Sequence, residues 1–161
     1  MRIAIAQLNV TIGDLDGNVA RILEAAKVAK RAKCRLLVTS ELAICGYPPL
    51  DLLTQHGFAE RCRHALDTLM QGSAKMKLAV LVGFPEQHAD DVAGKLLFNA
   101  AALLDHGKLL GIWRKRLLPT YDIFDEARYF DPGREPVKPL MLDGVPLGVM
   151  ICEDGWNDAT F

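Results

Sequence analysis

"GVMICEDGW" occupies residues 148–156. An apolar run, "VPLGVMI" (145–151), ends on Cys152, and Glu153, Asp154, Gly155 and Trp156 follow at once. A short uninterrupted apolar run is the pattern of a strand buried on both faces. In sheets with helices on their faces, ligands gather where the strands end. Taken alone, Cys152 reads as a core thiol at a strand end, because free cysteine is among the most buried residue types. A chemical role for it requires partners at the ends of other strands.

Upstream, "RIAIAQL" (2–8) alternates as a strand, and the turn-rich "TIGDLDGN" offers Asp and Asn side chains to cap a helix. That segment lacks calcium-loop spacing, since Gly17 falls three residues after Asp14 and residue 25 is alanine. From Val19, apolar Ile22, Leu23, Ala26 and Ala29 predict an amphipathic helix. "CRLLVTS" (34–40) reads as a buried strand, 58–75 as a second helix and "LAVLVGF" (78–84) as a third strand. "KLLFNAAALLDHG" and "KLLGIWRK" flank Asp105–His106–Gly107 as a hairpin. Residues 117–139 hold four prolines and no clear period, and a loop this long inside a domain is usually functional. With 145–151 as the last strand, the order predicts a mixed α/β layered fold.

The 161 residues are 50% hydrophobic and 24% charged with a net charge of −1, the balance of a globular domain with no bias toward nucleic acid or anionic membranes. "KVAKRAKCR" (27–35) spreads its charge along a helix and reads as a solvated face. No apolar stretch approaches the ~18 residues of a spanning helix, and Gln7 and Asn9 interrupt any signal-peptide core. A cytoplasmic, reducing setting is therefore expected. Cys34, Cys45, Cys62 and Cys152 are expected as free thiols, the first three in the core, and without C-x-x-C spacing no metal site is expected.

Three reactive groups follow apolar runs: Glu41 after "LLVTS", Lys115 after "LLGIWR" and Cys152 after "LGVMI". A thiol attacks a carbonyl as thiolate, so it needs a base and a positive field. Glu153 and Asp154 would raise its pKa if they faced it. Glu41 could take the thiol proton and pass it to a leaving amine, while Lys115 could steady the oxyanion. Each has a plainer reading, Glu41 as a capping or solvated acid and Lys115 as an edge-strand charge in "WRKR". A Cys–His site is the rival, with His56, His88 and His106 in loops or a turn and His64 in a helix, none placed beyond a strand as Glu41 and Lys115 are.

"VTSELAICGYPP" around Glu41, "WRKRLLP" around Lys115 and "GVMICEDGW" together resemble the nitrilase superfamily, whose hallmark is a Glu–Lys–Cys set on an αββα sandwich. "EARYFDPGRE" resembles its segment carrying a second glutamate, Glu126. "PPLDLL" and "FDEARYF" narrow the resemblance to the glutaminase domains of glutamine-dependent NAD⁺ synthetases. The resemblance implies that Cys152 attacks the side-chain amide of L-glutamine, with Glu41 as base and acid and Lys115 at the oxyanion. Glu126 and Glu153 are then supporting residues, and Tyr121 contacts substrate or packs over the site. It implies ammonia delivered to a second domain that uses ATP and Mg²⁺ to amidate deamido-NAD⁺, with homo-oligomeric assembly. That domain's glycine-rich pyrophosphate loop does not occur in these residues, and the sandwich normally continues well beyond the cysteine. Residues 1–161 thus read as the N-terminal portion of a nitrilase-like glutaminase domain, with no cofactor of their own. A stand-alone amidase (ω-amidase or carbamoylase) and a non-catalytic nitrilase-fold module are the alternatives.

Overall fold

The computed structural model describes residues 1–88 and 95–156. Strands β1 (Ile3–Ala6), β2 (Leu36–Thr39) and β3 (Ala79–Gln87) run parallel. Strands β4 (Leu97–Asp105) and β5 (Lys108–Arg114) extend the same sheet antiparallel, in the order β1-β2-β3-β4-β5. His106 and Gly107 turn the β4–β5 hairpin with φ of 49° and 72°, the left-handed pair that a two-residue hairpin loop demands.

Helix α1 (Leu15–Arg31) starts four residues before the expected Val19, because Asp14 caps it, accepting from the Gly17 N–H at 3.0 Å. Its Val19, Ile22, Ala26 and Ala29 and the Phe58, Cys62, Leu66 and Leu69 of α2 (Phe58–Ser73) bury against one sheet face. Leu37, Val80, Val82, Phe84 and Leu104 supply that face. Each such large apolar side chain contributes about 1.5–3 kcal/mol on burial. Neighbouring positions Leu36, Ala79, Leu103 and Trp113 point to the opposite face, where Leu142 of a separate hairpin, β6 (Leu140–Leu142) and β7 (Val145–Leu147), meets them. Arg35 fastens this hairpin to the sheet, bonding Asp105 at 2.8 and 3.0 Å and Asp143 at 2.6 and 3.0 Å. Ile3 and Ile5 of β1 stay exposed.

The run 145–151 is not one strand. Only Val145–Leu147 pairs, because its partner β6 is three residues long, and 148–151 continues outside both sheets. Cys152 therefore follows an extended segment rather than a sheet strand. The long loop carries the short helix α3 (Glu126–Tyr129), docked where the Tyr129 hydroxyl donates to Asp51 at 2.7 Å. All four cysteines are free; Cys45 and Cys62 lie in the core, whereas Cys34 is half-buried at its edge. Among the described residues no helix is long and apolar enough to cross a membrane.

Candidate active site

Glu41 sits on the turn leaving β2, and the sheet itself determines where that turn lies. Ile44 N–H donates to the Gly83 carbonyl of β3 at 3.1 Å, and Leu42 adopts φ 49°. A Cβ on Gly83 would stand 2.3 Å from Leu42 N and 3.0 Å from both Glu41 C and Ser40 O. All three are backbone atoms, so a larger residue could enter only by lifting the turn. From the other side the buried Asn18 donates to Ile44 O at 3.1 Å and bonds both Thr11 N and Thr11 O at 2.8 Å. Gly83→Ala is expected to destabilise by about 1–3 kcal/mol. Gly148→Ala, where no atom lies within 4 Å of the added Cβ, should leave the urea midpoint nearly unchanged. Equal midpoints for the two variants would show that the turn does not rest on Gly83.

Lys115 is the residue just past β5. Its N–H donates to Asn99 O at 2.8 Å, one step beyond the Ala100–Arg114 pair, and residues opposite each other in an antiparallel pair share a face. The Asn99 and Lys115 side chains therefore arrive together. Lys115 Nζ, fully buried, lies 2.7 Å from Glu41 Oε1 and 2.8 and 2.9 Å from the two Glu126 oxygens. Asn99 Nδ2 donates to Glu41 Oε1 at 2.7 Å and to Glu126 Oε2 at 3.2 Å. Tyr47 OH donates to Glu126 Oε1 at 2.9 Å. The edge-strand reading of Lys115 thus gives way to a buried ion-pair network.

Cys152 opens a 3₁₀ turn (Cys152–Gly155) with φ 46°, a conformation costing about 1–3 kcal/mol for a non-glycine residue. Asp154 holds this turn against the segment that follows β5 and Lys115. Its Oδ1 accepts from Arg116 N and Leu117 N at 2.9 Å each, and its Oδ2 accepts from Ile151 N at 3.1 Å. Glu41 and Cys152 both line a cavity of about 250 Å³ bounded also by Ser40, Gly83, Ala100 and Ile151.

The charges oppose one another usefully. Burial raises the Glu41 carboxyl pKa and outweighs the hydrogen bonds from Lys115 and Asn99, which lower it. Burial pulls the Lys115 ammonium down, but its bonds to Glu126 and Glu41 together hold it above the usual lysine value. Partial desolvation pushes the Cys152 thiol up, and the Glu41 charge adds to this while Lys115 counters it. The resting sulfur is therefore a thiol beside a carboxylate of raised proton affinity. That arrangement suits proton removal during attack rather than a preformed thiolate.

Glu153 and Asp154 are not what raises that thiol: Asp154 faces backbone amides, and Glu153 accepts from Tyr121 OH at 2.8 Å. Tyr121 is exposed and packs edge-on to Phe124 with 5.5 Å between ring centres. The rival histidines lie elsewhere: His106 pairs with Asp105 at 3.0 Å and His88 with Asp131 at 3.5 Å, while His64 sits in α2 and His56 just before it. Among the described residues no three His, Cys, Asp or Glu side chains group to hold a metal ion. Sequence reading missed Asn99, Tyr47 and Gly83, and it weighed Asp154 only as a charge beside the thiol, not as the acceptor that pins its turn. Asn99 had a signal, being the lone polar residue in "LLFNAAALL".

A mixed sheet with helices on one face and a thiol beside a carboxylate–ammonium–carboxylate cluster at its end defines the class of site. The chain belongs to the carbon–nitrogen hydrolase family, whose model matches residues 2–160. It is 40% identical over 157 residues to the glutamine-dependent NAD(+) synthetase of Thermotoga maritima, covering 98% of this chain and 26% of that protein. The glutamine-dependent NAD+ synthetase of Acinetobacter baumannii, solved with ADP, superposes with a TM-score of 0.83 at 32% identity, over 96% of this chain and 28% of that one. A variant amidase from Nesterenkonia sp. AN1, showing covalent addition of the acetamide moiety of fluoroacetamide at its active-site cysteine, superposes at 0.80 and 27% identity. That match covers 93% of this chain and 54% of the amidase. The chain spans about a quarter of the length of the curated relatives it matches.

Proposed function

We propose that this chain carries the glutamine-hydrolysing site of a glutamine-dependent NAD⁺ synthetase. The observation that carries the chemistry is Lys115 held between Glu41 and Glu126, with Cys152 and Glu41 on one cavity. The choice of glutamine rests on the similarity to named synthetases over nearly the whole chain.

In this reading Glu41 takes the thiol proton as Cys152 Sγ bonds to the side-chain carbonyl carbon of L-glutamine. The carbonyl oxygen becomes an oxyanion, met by Lys115 and the Glu153 backbone N–H. One Lys115 N–H shared between the two Glu126 oxygens leaves another for that oxygen. A single such donor typically contributes ~10²-fold in rate. When the oxyanion collapses, the C–N bond breaks and Glu41 gives its proton to the departing amine, which leaves as ammonia. Water then gives a proton to Glu41 and attacks the thioester. Collapse releases glutamate, and the proton returns to the thiolate. Glu126 fixes Lys115, while Glu153 supports Tyr121 by accepting a hydrogen bond from its hydroxyl at 2.8 Å, and Tyr121 contacts substrate. The ammonia would serve ATP- and Mg²⁺-dependent amidation of deamido-NAD⁺, in a cytoplasmic homo-oligomer.

The test is intact mass of the full-length protein after treatment with a diazo-ketone analogue of glutamine. One adduct on Cys152, formed with loss of N₂ and blocked by L-glutamine, is expected. Adduct formation that L-glutamine does not block, together with turnover of simple amides, would replace this reading with an amidase of other specificity.

A further inference from the structure

Asn99 is fully buried on β4, between apolar neighbours on both sides in sequence, where an apolar side chain would cost nothing to bury. Its two amide hydrogens are divided between two carboxylates, Glu41 Oε1 at 2.7 Å and Glu126 Oε2 at 3.2 Å. The opposite orientation would aim its carbonyl oxygen at both anions, so the electrostatics select this one. Its own Oδ1 is left buried with no hydrogen-bond partner among the described residues. Such an acceptor carries a desolvation cost that a purely structural position would avoid.

The same Glu41 Oε1 also accepts from Lys115 Nζ at 2.7 Å, and the carboxylate faces the Cys152 thiol as well, whose proton affinity it raises. A glutamate's terminal torsion is broad and nearly two-fold, so one point of attachment leaves its carboxylate free to swivel. Two donors converging on one oxygen hold the plane. Resting on the reading of Glu41 as proton acceptor, we propose that Asn99 is a positioning residue that dedicates Oε1 of Glu41 to the buried cluster and presents Oε2 to the Cys152 thiol. A neutral amide does this without adding a second positive charge beside Glu41. Its hydrogen bond nevertheless pulls the Glu41 carboxyl downward, so its removal has a titration signature.

The experiment compares full-length wild type, Asn99→Leu and Asn99→Ser. The rate of Cys152 alkylation by iodoacetamide is followed from pH 5 to 9, with the modified residue mapped by mass. The acid limb is expected to move up by about 0.5–1 pH unit in both variants, since each loses the donor to Glu41. Glutamine hydrolysis should lose about ten- to a hundredfold in kcat, with KM within about twofold, as displacement of a reacting group costs turnover rather than binding. Asn99→Ser is included in case the bulkier leucine prevents folding. An unshifted acid limb in a folded variant overturns the proposal, even if activity falls. Because alkylation needs no glutamine, a shifted limb in a protein that does not hydrolyse glutamine supports Asn99's role and rejects only the substrate assignment.

Discussion

Under the proposed glutaminase function, Cys152→Ser is expected to lower glutamine hydrolysis by about 10⁴- to 10⁶-fold while leaving the fold and glutamine binding nearly unchanged. The sulfur is exposed at the cavity wall, so exchanging it for oxygen removes little packing. The loss comes from proton affinity. Glu41 carries a raised pKa, which brings it toward that of a thiol, but a hydroxyl holds its proton far more tightly than either. The backbone at residue 152 already sits at φ 46°, and serine meets the same strain as cysteine there. Single-turnover rates with calorimetric binding of glutamine separate the two effects. Residual turnover above about one per cent would mean that another group, or a water activated directly by Glu41, attacks the amide.

Lys115→Met is expected to be the most damaging change to stability, by about 3–5 kcal/mol near neutral pH. The ammonium is fully buried and closes on two carboxylates within 2.9 Å. Methionine fills similar space but leaves two acids facing each other without a cation. The pH dependence gives the cause. In wild type the raised Lys115 pKa means that pairing contributes fully below the unfolded lysine value of about 10.4 and is lost as pH rises through the higher folded value. The variant lacks that contribution, and its carboxylate pair gains stability as falling pH supplies a proton. Its deficit against wild type should therefore be larger at pH 8 than at pH 5, read from urea midpoints at equal m. A deficit independent of pH would assign Lys115's importance to packing rather than charge.

The two variants fail in different ways because the site is divided between a surface turn and the end of a buried sheet. Cys152 rides on a short 3₁₀ turn that Asp154 pins to the backbone after β5. Lys115, Asn99 and Glu126 sit beneath it, excluded from water, where each removed partner leaves an uncompensated polar group.

Much of the local structure was legible from residues 1–156 alone. Continuous apolar runs marked β2 to β5, 3.6-residue spacing marked α1 and α2, and Asp105–His106–Gly107 marked the hairpin, because each signal acts over a few neighbouring residues. The types of group needed for amide chemistry were legible too: Glu41, Lys115 and Cys152 each follow an apolar run. What failed was the end of the last run. Residues 148–151 look like strand, but pairing needs a neighbour, and apolar composition does not say where one stops.

Only the tertiary structure decided which of these groups meet, and how they are charged. Lys115 and Asn99 are 16 positions apart and become adjacent through the register of β4 on β5. Glu41 comes within 2.7 Å of Lys115 because Gly83 lets a turn lie directly on β3. Glu126 arrives from the long loop on a single helical turn. Charge follows from these placements: whether Glu41 binds its proton tightly depends on how much water remains around it and on the distances to Lys115, Asn99 and Glu126. Residue identity sets which protons can move; burial and ångström-scale separation set where they rest.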